Sequence, residues 1–235
     1  MTIFYIDTEF NEGNLYLGDI FEIACLSSSS NRIFHSYINI PTNVSRYVQK
    51  LCALDLSLLQ KSPSFNEVMD NLIVFINNEE DSSTQTILMG HGARLTDYPL
   101  IITNCMKNYY DHSIFDQYKF IDSMEAFRES GYQRPGLTTL STSQRNIHSA
   151  KEDVQLLRDI VTSHNTIQYK LFTYEDILIH LNEKMPLTIL EVRKVAKCYQ
   201  DLEQYLQKYM KKKSALNKKQ LMKIVNRYNY ECIYN

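Results

Sequence analysis

Three β-rich runs crowd the start of the chain, at 3–9, 19–26 and 33–39, and the turn-prone stretches NEGN and SSSSNR separate them. Short runs of branched and aromatic residues between turn formers predict an antiparallel meander. The pattern then changes. In PSFNEVMDNLIVFIN, residues 63–77, Pro63 stands near the start and Phe65, Val68, Leu72, Phe75 and Ile76 form one apolar stripe, which predicts a helix. TILMGH at 86–91 reads as a central strand, DYPLIITNCMKNY as a helix starting near Pro99, YKFIDS as a further strand, and 137–144 and 151–164 as helices. Three strands followed by alternating helices and strands predict an α/β fold, a mixed sheet with helices on its faces. Sites in such sheets lie at the carboxyl ends of strands.

The first run carries a chemical anomaly. In FYIDTEF, Asp7 and Glu9 are two positions apart, so an extended chain projects both acids from one face. Like charges held that close repel unless a cation or a shared proton lies between them. Asp97 follows the central strand at the beginning of a helix, and HSAKEDVQLL supplies His148 and Asp153. A two-metal phosphoryl-transfer site needs several hard oxygen ligands, to hold two Mg²⁺ or Mn²⁺ ions about 3.5–4 Å apart, and a group that accepts a proton from water. Four carboxylates and one histidine meet that need.

At 235 residues the chain accommodates one α/β domain and a smaller appendage. The charge distribution suggests where they divide. Residues 1–165 carry 12 basic and 20 acidic groups, a net of −8, whereas 166–235 carry 13 and 7, a net of +6. The second segment shows helix-like stretches at 173–184, 188–212 and 217–229 and no strand signal, so it reads as a basic helical module. No apolar run reaches the ~18 residues that span a bilayer. The sequence opens directly on a strand-like run without a basic leader, so the expectation is an intracellular protein, nuclear or cytoplasmic, with no membrane partner. The five cysteines lack paired spacing, which argues against a zinc site and a disulfide framework.

The order DxE, then HxxxxxD, then HxxxxD resembles the DEDDh, or DnaQ-like, 3′→5′ exonucleases. GDIFEIA is similar to that family's second-strand pattern, and SPSFNEVMDNLIVFI to its APSF-x-EV helix. GHGARLTDYPLI, FIDSMEAF and HSAKEDVQLL most resemble the three-prime repair exonuclease branch, although Gly92 stands where that branch has asparagine. The resemblance covers residues 3 to about 162. It implies an RNase H-like five-stranded mixed sheet with helices on both faces. It also implies that Asp7, Glu9, Asp97 and Asp153 coordinate two Mg²⁺ (or Mn²⁺) ions and that His148 is the general base. Thr8 and Phe10 would lie beside the 3′-terminal nucleotide, with Phe10 stacking on its base. The implied activity is removal of nucleoside monophosphates from single-stranded or frayed DNA 3′ ends. RNA as substrate, a catalytically idle binding module on the same fold, and a homodimer stay open.

Outside that constellation, His91 reads as a structural histidine and Asp122 as the cap of the helix MEAFRE. Glu22 reads as a common strand-edge charge, with a supporting or substrate contact as the alternative. Lys211, Lys212 and Lys213 belong to a basic run accompanied by Tyr205, Tyr209, Tyr228 and Tyr230. That company suits phosphate contact with base stacking, against a solvated helix face as the plain alternative.

Overall fold

A computed structural model of the chain describes residues 1–11, 18–41, 43–80, 83–141 and 148–183. The chain divides into two compact units, Met1–Tyr174 and Glu175–Asn235. The helical stretches expected at 188–212 and 217–229, and the lysines 211–213, lie outside the described residues.

The first unit is built on a five-stranded sheet in the order β3-β2-β1-β4-β5, with β1 at Thr2–Phe10, β2 at Ile20–Ser27, β3 at Ile33–Tyr37, β4 at Thr86–Gly90 and β5 at Lys119–Asp122. β1, β2 and β3 form the expected antiparallel meander, while β4 joins β1 in parallel and β5 joins β4 in parallel. The result is the mixed RNase H-like sheet expected from the sequence.

Helices cover both faces. On one, α7 (Ala150–Ser163) lays Ala150, Val154 and Leu157 against Tyr5 of β1, Ala24 and Leu26 of β2, Ile87 and Met89 of β4, and Ile121 of β5. The helical spacing of 150, 154 and 157 makes that stripe. On the other face Phe75 of α3 (Phe65–Glu79) meets the rings of Phe4 and Phe34. Tyr98 of α4 (Asp97–Lys107) packs edge-on against Phe120. Its buried hydroxyl donates to the Leu88 and Ile121 carbonyls at 3.0 and 2.6 Å, which ties α4 to the two parallel strands.

Between β3 and α3 stand two short helices with no counterpart in the sequence reading, α1 (Arg46–Leu51) and α2 (Leu56–Gln60). Ser45 and Asp55 cap them, accepting from Val48 and Ser57 backbone N–H groups. Helix α3 begins after Ser64 rather than at Pro63, in a reciprocal Ser64–Glu67 capping box. Helix α5 (Ser123–Glu129) is capped by Asp122 as expected. The helix expected over 137–144 is described only as one turn, α6 at Leu137–Leu140. Beyond α7 the backbone returns to the sheet, where Phe172 and Phe120 exchange hydrogen bonds of 3.0 and 2.8 Å on the far side of β5. Helix α8 (Tyr174–Glu183) follows. Among the described residues no helix is long and apolar enough to cross a membrane, and Cys25, Cys52 and Cys105 are buried free thiols.

Candidate functional site

The site forms at the carboxyl end of β1. Strand alternation puts Asp7 and Glu9 on the face of Tyr5, the face that α7 covers. Asp153 lies on the inner side of α7, three residues after Ala150 and four before Leu157. Ligand atoms of Glu9, His148 and Asp153 lie within 4.8 Å of one another. Asp97 arrives from the opposite face, as the first residue of α4.

Its placement depends on Thr8. The alternation that turns Asp7 and Glu9 toward α7 turns Thr8 away, toward α4. There the Thr8 backbone N–H and hydroxyl donate to Asp97 Oδ1 at 2.9 and 2.7 Å, and the Thr96 hydroxyl donates to Oδ2 at 2.8 Å. Thr8 is buried and its hydroxyl is committed to Asp97. In this position Thr8 braces Asp97. Phe10 closes β1 just past a register irregularity between Glu9 and Phe10, and is partly exposed.

The loop before Asp97 is braced from β5. Asp122 accepts from the Gly92 and Arg94 backbone N–H groups at 2.9 and 3.0 Å while also capping α5. Gly92 adopts φ +75°, a left-handed conformation that glycine tolerates at no steric cost. At Gly90 a side chain is excluded by contact, since a Cβ there would lie 2.3 Å from that of Ala93. His91 Nδ1 pairs with the Ser123 hydroxyl at 2.8 Å, consistent with a structural histidine. Asp122→Ala strands three N–H groups, so it should destabilise the fold by about 2–4 kcal/mol, read as a fall in Tm of about 10 °C in a thermal melt.

Burial is the first cause that raises the Asp7 carboxyl well above the usual carboxylate range, followed by the charges of Asp97, Asp153, Glu9 and Glu22. Burial, then Asp153 and Glu22, pushes Glu9 up to about 8, against the lowering effect of a Cys52 thiol 3.6 Å from Oε2. Burial also raises Asp97, partly offset by its hydrogen bonds from Thr8 and Thr96. Hard oxygen donors crowded until they resist ionisation fit a divalent cation, and the imidazole widens the choice toward transition ions.

A pH dependence follows. The native state keeps protons on Glu9 and Asp7 that the unfolded chain has released, so the stability they confer is full below about pH 4.5 and fades as the pH rises toward 8. In EDTA the Tm should fall between about pH 5 and pH 8, and Glu9→Gln should flatten that fall. Millimolar Mn²⁺ should raise Tm more at the higher pH, where ligands need not shed protons to bind it. Scanning calorimetry with and without metal checks both.

Glu22 departs most from its sequence reading. It lies on β2, an interior strand flanked by β1 and β3, and is 1% exposed. It stands directly across from Glu9 in the β1–β2 register.

No protein-family model matches the sequence, and no curated protein matches it. Solved structures do. Cell-death related nuclease 4 (CRN-4) superposes with a TM-score of 0.60 at 11% identity over 73% of this chain, which spans 66% of the CRN-4 chain. A 3′-exonuclease described in 3′-end-specific recognition of a histone mRNA stem-loop gives 0.60 at 16% identity, covering 74% of this chain and 91% of its own. The nuclease domain of 3′hExo, a DEDDh family member bound to rAMP, gives 0.59 at 17% identity, covering 72% of this chain and 96% of its own. The fold is that of the DEDDh exonucleases. Glu9, His148 and Asp153 bring ligand atoms together, and Asp7 lies close enough to Glu9, Asp97 and Asp153 to feel their charges.

Proposed function

We propose that the protein is a divalent-metal-dependent 3′→5′ exonuclease that removes nucleoside monophosphates from single-stranded or frayed DNA 3′ ends. The observation that carries this reading is the gathering of four carboxylates and one histidine at the end of β1 on this fold. Asp7, Glu9, Asp97 and Asp153 would hold two ions, Mg²⁺ or Mn²⁺, with Asp7 between the other acids. When bound, such ions lower the pKa of a coordinated water and stabilise charge on the leaving 3′-oxygen.

The remaining work belongs to the chain's own groups. His148 is exposed, so its imidazole can take the proton of the attacking water and pass it to solvent. Thr8 and Thr96 hold Asp97, and Cys52 holds Glu9 through the thiol contact. Phe10 stacks on the terminal base, a contact of about 1–3 kcal/mol. The basic segment from residue 166, with Lys211, Lys212 and Lys213, holds the phosphodiester backbone upstream. Replacing those three lysines with alanine should weaken single-strand binding and reduce the slope of log K against log salt by up to about 2, measured by fluorescence anisotropy across a salt series.

RNA is the second reading for the substrate, favoured by neighbours described with a histone mRNA stem-loop and with rAMP. A time course on 5′-labelled DNA and RNA of one sequence, each with Mg²⁺, Mn²⁺ or EDTA, tests both. Metal-dependent ladders shortening from the 3′ end establish the reaction and rank the sugars. Binding without degradation under any metal would make the protein an idle binder.

A further inference from the structure

His148 is fastened to the protein at two points, and neither involves its ring. Its backbone N–H donates to the Leu51 carbonyl at the end of α1, at 3.1 Å. The next residue, Ser149, occupies the N-cap position of α7, where a serine hydroxyl ordinarily accepts from a backbone N–H of the first helical turn. Here the side chain makes no capping hydrogen bond. It reaches across to β2 instead, donating to Glu22 Oε1 at 3.0 Å. The same oxygen meets His35 Nε2 at 2.9 Å, and a carboxylate oxygen only accepts, so the His35 ring carries its hydrogen there.

A helix cap has been given up for this contact. Glu22 is buried on an interior strand, a costly place for a carboxylate unless its hydrogen bonds are used. We propose that Glu22, backed by His35, is a positioning residue: through Ser149 it fixes the His148 turn over the acidic cluster at the end of β1. The inference rests on the exonuclease reading for its kinetic consequence, but not for its geometry.

The experiment is a set of full-length variants, Ser149→Ala, Ser149→Thr and Glu22→Gln, each also made in a His148→Ala background. Ser149→Ala should lower kcat about 10-fold or more, in the range typical for groups that orient a site's ligands. KM and Mn²⁺ affinity by calorimetry should stay unchanged. Ser149→Thr, which keeps the hydroxyl, should recover most of the rate. In the His148→Ala background neither Ser149→Ala nor Glu22→Gln should cost anything further. An equal loss from Ser149→Ala in both backgrounds, or weakened Mn²⁺ binding in Ser149→Ala, would show that the contact serves the carboxylates or the fold and would overturn the proposal.

A second readout needs no turnover. The His148 ring signals in long-range ¹H–¹⁵N spectra, assigned by their loss in His148→Ala, should move or broaden in Ser149→Ala and Glu22→Gln, while those of His164 at the far end of α7 stay in place. If they move in a protein that degrades no nucleic acid, the positioning stands and the exonuclease reading falls. If the protein degrades nucleic acid and neither kcat nor the His148 signals respond, the positioning falls and the exonuclease reading stands.

Discussion

Asp7→Ala should reduce turnover at least about 10³-fold while raising the melting temperature in EDTA. The two effects share one cause. Asp7 is half-buried and lies among Asp97, Asp153, Glu9 and Glu22, all of which oppose its ionisation. Removing it takes one charge out of a cluster whose members repel. Asp7→Asn separates charge from volume, since it keeps the shape and should show the same gain in Tm at pH 8 with the same loss of rate. The gain should vanish in saturating Mn²⁺, where the wild type alone is stabilised by binding. Labelled-substrate assays and paired melts with and without metal measure both arms. A lower Tm for Asp7→Asn in EDTA would instead give Asp7 a structural role.

The second large effect is kinetic only. His148→Ala should lower kcat by about 10² or more with almost no change in Tm. The structural contact of His148 is its backbone N–H on the Leu51 carbonyl, which alanine keeps, and the side chain is exposed. Single-turnover assays in saturating metal would read the chemical step directly. A near-normal rate would remove His148 from the mechanism.

Much of this site was legible because its signals are local or ordered along the chain. The two-residue spacing of Asp7 and Glu9 specifies one face of a strand, and the three-strand start followed by alternation specifies a mixed sheet. The bracing of Asp97 by Thr8 was not, because the two residues lie 89 positions apart. Nor was the part played by Glu22. The expected meander already set its strand between two others, but the contact that gives Glu22 its role, with Ser149, lies 127 residues away in sequence. The further acceptor work of Asp122 is equally nonlocal, because Gly92 and Arg94 lie about 30 residues away in sequence. Helices α1 and α2, with 6 and 5 residues, are too short for an apolar period to register. The diverted Ser149 cap runs against local expectation, since a serine preceding a helix ordinarily caps it.

The bridge between Phe120 and Phe172 covers part of the sheet's border. β5 is a terminal strand of the sheet, and such a border offers free N–H and C=O groups to any other extended chain. The returning segment occupies part of that border, and Arg94 closes over the Phe172 ring at 4.1 Å. A chain cut at residue 165, where the charge pattern changes sign, would lose this cover. It should self-associate through β5 in a concentration-dependent way, more strongly than a chain that retains Phe172.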